Sequence, residues 1–131
     1  MKTRWLKNFK DDESGSATIE SLLWVPLFVY LLVLITDVSL AFYGKAQALR
    51  ILQDGNRALS VRRLDDAPAA RQYILGLLAE YSTNAQVTTT ITDGVITSTA
   101  MLPVRDLMAI GSIPGFSQTA INISAQHFLE Q

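Results

Sequence analysis

The residue types with the makings of chemistry in this sequence are Gly15, which closes a short charged leader, and Glu20, a lone carboxylate just beyond it. Small residues flank the glycine in Ser14-Gly15-Ser16-Ala17, and this stretch reads as a cleavage point. Glu20 then opens a run, Ser21 to Thr36, that carries no charge. An acid in that place suits the start of a membrane helix, where it complements the positive end of the helix dipole. Other chemistry has little to draw on. The chain has no cysteine, which excludes thiol chemistry and thiolate zinc sites. His127, the single histidine, stands beside Gln126 and Phe128 in a strand-like segment and reads as a surface or core residue. Asp65 and Asp66 are paired carboxylates, but Pro68 behind them makes them a helix start. Asn122-Ile123-Ser124 fits a glycosylation acceptor, a pattern that recurs by chance. There is no Ser/His/Asp set and no phosphate loop, so neither an enzyme activity nor a metal or cofactor is implied. The net charge of −1 argues against nucleic acid as a partner, because phosphate binding needs a concentrated basic surface.

The elements around Gly15 and Glu20 follow from the hydropathy pattern. Residues 1–15 form a leader in which Lys2, Arg4, Lys7 and Lys10 precede Asp11, Asp12 and Glu13. Trp5, Leu6 and Phe9 fall at helical spacing, which reads either as an amphipathic turn on a membrane surface or as a disordered leader. Residues 16–43 are expected to form a transmembrane helix, since about 20 residues cross the hydrocarbon core. Counted from Ser16, Asp37 lies roughly 32 Å along such a helix, near the far interface. Pro26 removes one backbone hydrogen bond and is expected to bend it. Lys and Arg flank the run on both sides, so charge alone does not fix its orientation.

Residues 44–64 continue the helix as a stalk to about Arg63, with Gly55 as a weak point. Ala48, Leu49, Leu52, Gly55 or Asn56, and Leu59 recur at three and four and make a packing seam. Residues 65–131 are expected to form a small α+β domain. Asp65-Asp66-Ala67-Pro68 starts a second helix whose buried face is Ala70, Ile74, Leu77, Leu78 and Tyr81. Gln86 to Thr92 and Val95 to Leu102 flank Asp93-Gly94, a two-residue hairpin signal. Between Val104 and Ile110 a helical turn is expected. Ala120 to Phe128 alternates as a third strand, which gives a three-stranded antiparallel sheet packed by one face on the helices.

At the leader junction the sequence resembles a type IV-like prepilin. It is most similar to the TadE-like minor pseudopilins of the tight-adherence (Flp) pilus system. The resemblance rests on Asp12-Glu13-Ser14-Gly15, on Glu20 and on the apolar run, and covers residues 11 to about 60. It implies a cut after Gly15 by a prepilin peptidase, with Ser16 as the new N-terminus and Glu20 as the fifth residue. Glu20 would then pair with the new α-amino group, on its own chain or a neighbour's. Ser21 stands where the major Flp pilin has an aromatic, and Ser16 is not the aromatic of many type IV pilins. The implied partners are the peptidase, other pilins or pseudopilins, and the assembly platform of the bacterial inner membrane. No small-molecule substrate is implied. The N-terminus would be cytoplasmic and the C-terminal domain periplasmic. Two other readings stand beside it. Ser39-Leu40-Ala41 also fits a conventional signal-peptide cut before Phe42, releasing a soluble binding domain. An uncleaved single-pass membrane adaptor is the third.

Overall fold

The helical pattern that starts around Gly15 does not stop at membrane length. In the computed structural model, which describes residues 13–130, helix α1 (Glu13–Ser60) runs unbroken for 48 residues, about 72 Å at the usual rise. The expected turn at Trp5, Leu6 and Phe9 lies outside the described residues. Pro26 sits inside α1, and the helix continues past the one hydrogen bond that proline removes. The end comes three residues before the expected one, at a left-handed turn. Arg62 has φ 56°, Arg62 N–H donates to the Leu59 carbonyl at 3.1 Å, and Arg63 N–H donates to Ala58 at 2.9 Å. This is a Schellman closure with arginine where glycine is usual.

Helix α2 (Ala67–Leu78) is capped as the sequence implies. The Asp66 carboxylate accepts from Ala69 N–H at 2.8 Å, and Pro68 occupies the first turn. Ala70, Ile74 and Leu78 form the buried face. Leu77 and Tyr81 were expected there too, but Leu77 is exposed and Tyr81 half-buried. Leu77 sits one residue, about 100°, away from the Ile74–Leu78 line, and that rotation carries it off the contact.

Strands β1 (Gln86–Thr92), β2 (Val95–Pro103) and β3 (Ala120–Phe128) form an antiparallel sheet in the order β1-β2-β3. Asp93 and Gly94 both take positive φ, 51° and 76°, as a type I′ hairpin turn needs. The fold is therefore α+β, as expected. Val87 pairs with Ala100 and Ala100 with Ile123. These three are buried on the face covered by α1 and α2, together with Leu52, Ile74, Leu78 and Leu102. The opposite face leaves Thr88, Thr90 and Thr92 exposed. Where a helical turn was expected after β2, Val104–Asp106 forms a single 3-10 turn. Gly55 is a contact point rather than a weak one. A Cβ there would meet Ile74 Cγ1 at 2.5 Å, so its lack of a side chain lets α1 and α2 close up.

A polar chain threads this core. Asn56, fully buried, donates to the Ala125 carbonyl at 2.9 Å and accepts from Ser98 Oγ at 2.5 Å. Ser98 in turn bonds Thr89 Oγ1 at 2.9 Å. Ser60 Oγ donates to the Phe128 carbonyl at 2.7 Å, one turn further along α1. The two residues fix the register of α1 against β3. Asn56→Ala is expected to cost about 1–3 kcal/mol, because buried groups lose their partner. Thermal unfolding of the full chain in detergent, followed by circular dichroism, measures it. A variant as stable as the parent would mean that the network contributes nothing.

Candidate functional site at the helix N-terminus and the Asp37 clamp

Gly15 lies near the start of α1, exposed, and outside its own stretch of helix no atom comes within 4 Å of the point a Cβ would occupy. Glu20 is exposed and shares a shallow groove with Ala17, Ser21, Trp24, Val25 and Phe28. It stands four residues after Ser16, on the same helix face. Between Gly15 and Asp37 it is the one formally charged residue. The hydroxyls nearby turn inward to the helix itself. Ser21 Oγ donates to the Ala17 carbonyl at 2.9 Å, and Thr36 Oγ1 donates to Leu32 at 2.8 Å. Apart from Thr18 and Tyr30, the rest of this part of α1 is apolar, and most of it is uncovered: Leu22 is 68 % and Leu23 73 % exposed. The helix is long and apolar enough to cross a membrane, and a surface of this kind calls for lipid or other helices around it.

The second feature is Asp37, which is buried. Its Oδ1 accepts from the backbone N–H groups of Ala109 and Ile110, both at 3.0 Å. Its Oδ2 accepts from Ser112 N–H at 2.7 Å. Gly111, between these donors, has φ 75°, a left-handed turn that a side chain would strain. The loop that follows β2 is thus clamped to α1 by one carboxylate. Tyr30 adds a longer bond, its hydroxyl donating to the Ser112 carbonyl at 3.4 Å. By its position in the sequence Asp37 falls at a membrane edge, with nothing nearby to mark the loop it binds. Its signals were a carboxylate interrupting an apolar run and a distant stretch of Gly and Pro with no charge.

At the base of the same loop Asp106 Oδ2 accepts from Ser82 Oγ at 2.5 Å and from Asn84 Nδ2 at 3.2 Å. The Ser82 bond above all holds this carboxyl below its ordinary range, against a smaller push upward from burial.

Of the expected seam, Leu52 and Leu59 are buried, packed within the chain's own domain. Leu49 is off it, 36 % exposed, because the buried line runs through Ala48 and one residue of rotation turns Leu49 outward. The inward line along α1 is Asp37, Ala41, Gly44, Ala48, Leu52, Asn56 and Leu59. Glu20 is not brought near these residues, since Leu49 lies roughly 43 Å further along the helix. The N-terminal site and the domain are two ends of one rod.

Residues 15–57 match the family model of the TadE-like protein. No curated protein and no solved structure matches the chain. The matched segment starts at Gly15 and takes in Glu20, Asp37, Leu49 and Leu52, while Leu59 and the sheet lie beyond it. From the glycine at the start of α1 through the stalk, the chain therefore carries a TadE-like segment, which supports a TadE-like protein of the tight-adherence pilus system.

Proposed function

We propose that this chain is a minor pseudopilin that helps assemble or initiate a tight-adherence pilus. A prepilin peptidase cuts after Gly15 and leaves Ser16 as the N-terminus. The apolar part of α1 then anchors the chain in the bacterial inner membrane, with the α+β domain on the periplasmic side. Glu20 pairs with the amine of Ser16, in its own chain or in an adjacent subunit. Its partners are the peptidase, other pilins or pseudopilins and the assembly platform, and its role is structural rather than catalytic.

The observation that carries this reading is the exposed apolar cylinder of α1 with one carboxylate near its start. An isolated carboxylate next to hydrocarbon is costly unless compensated, and the new amine supplies the compensation. The TadE-like match, which begins at Gly15, supports the position of the cut. The signal-peptide reading is disfavoured by Asp37. A cut before Phe42 would discard the carboxylate that binds Ala109, Ile110 and Ser112 and would split a continuous helix.

Intact mass and N-terminal sequencing of the protein extracted from its native membrane test the cut. The expected N-terminus is Ser16. A chain starting at Phe42 overturns the pilus reading, and an intact Met1 leaves a plain membrane anchor.

A further inference from the structure

Between Leu107 and Leu129 the sequence contains no Asp, Glu, Lys or Arg. The first part of this stretch is the loop clamped by Asp37, and it turns apolar side chains outward. Ile110 is 71 % exposed and Phe116 42 %. The loop does not stop at Asp37. Through Ser112 it reaches Tyr30, seven residues or roughly 10 Å back along the apolar run. A hydrocarbon core of about 30 Å that begins at Ala17 ends close to Asp37. The loop therefore overlaps the depth of the bilayer.

Non-helical backbone at that depth is tolerated only where its polar groups have partners. Here the partners come from α1. Asp37 takes the N–H groups of Ala109, Ile110 and Ser112, and Tyr30 donates to the Ser112 carbonyl. Phe116 N–H donates to Ile113, Gln118 N–H to Gly115 and Thr119 N–H to Phe116, which pairs further backbone groups within the loop. Beside it runs a groove of ≈ 230 Å³ lined by Val38, Phe42, Ile113 and Phe116, with Lys45 also on its wall. This apolar surface is continuous with the exposed face of α1.

We infer that the loop from Ile110 to Phe116 is a membrane-dipping wedge whose partner is the lipid of the leaflet where α1 emerges. Ile110 and Phe116 sit among acyl chains, and Lys45, on a long flexible stem, reaches the headgroup phosphates. The inference rests on the membrane-anchor reading above. It makes the loop a second foothold that holds the domain against the bilayer and must leave the lipid when the subunit is drawn out.

The chain has no cysteine, so each introduced one is a unique labelling site. Nitroxides are placed at Ile110→Cys, Phe116→Cys, Leu27→Cys on the anchor and Thr90→Cys on the open sheet face. The full chain is reconstituted in phosphatidylethanolamine–phosphatidylglycerol vesicles, and collision with oxygen is compared with collision with a water-soluble nickel chelate. The labels at Ile110 and Phe116 are expected to match Leu27, with an oxygen-to-nickel ratio severalfold above that of Thr90. If Leu27 is in lipid while Ile110 and Phe116 behave like Thr90, the anchor stands and the wedge is overturned. Labels shielded from both reagents at Ile110 and Phe116 mean that protein covers the loop, which also overturns it. A water-exposed Leu27 removes the anchor and the wedge together.

Discussion

Glu20→Gln is expected to leave the chain cut after Gly15 and held in the membrane, while pilus formation falls by at least about tenfold. Glutamine keeps the size and most of the helix propensity of glutamate, so the shape of the groove along Trp24 and Phe28 persists. What disappears is the charge. In its absence the α-amino group that the proposed cut leaves on Ser16 would enter a helix bundle without a counter-ion, and leaving a desolvated charge unpaired costs far more than an exposed pair contributes. On the proposed function, peptidase recognition rests on Gly15 and the leader instead, so processing and assembly are expected to separate in this variant. The measurement is an immunoblot for the processed form beside a count of surface pili, in a strain whose only copy carries the substitution. Normal piliation would show that Glu20 is an interfacial acid with no part in assembly. Loss of the processed form would place its role in the cut.

The sequence revealed those parts of the molecule that have a local cause. Periodicity in α1, the Asp66 cap before Pro68, and Asp93-Gly94 between β-branched runs each depend on residues a few positions apart. The helix, the cap and the hairpin are all present. The end of α1 was displaced because its closure uses Arg62 in a left-handed conformation, with no glycine to mark it. Leu49 and Leu77 were assigned to buried faces because hydrophobic type alone cannot separate neighbours on a helix wheel. The partner surface does that, and here it is the chain's own sheet. The polar chain through Asn56 and Ser98 was illegible for the same reason. Its members lie 42 residues apart, and neither has a sequence signal beyond its type. Asp37 was visible as an anomaly in an apolar run, but its partners are 72 to 75 residues away.

Asp37→Ala is expected to release the loop without unfolding the sheet. Three backbone N–H groups share this one carboxylate, and charge-assisted bonds of this kind are stronger than neutral ones. In the alanine variant Ala109, Ile110 and Ser112 have no acceptor in its place, so their amide exchange is expected to quicken by about tenfold or more. Amides of Ile96 and Ala100, in the centre strand of the sheet, should keep their protection, which separates local release from global unfolding. Asp37→Asn separates the two carboxylate oxygens. The amide oxygen can still serve Ala109 and Ile110, but its NH₂ would face the Ser112 N–H, donor against donor. Exchange should therefore quicken most at Ser112 in that variant and less at the other two. Equal protection in parent and alanine variant would mean that packing, with Leu107 buried behind the loop, holds it without the carboxylate. Release in the alanine variant together with site-selective loss in the asparagine one would establish that α1 grips its domain through the Asp37 carboxylate, and that a chain lacking the residues before Phe42 cannot keep this loop in place.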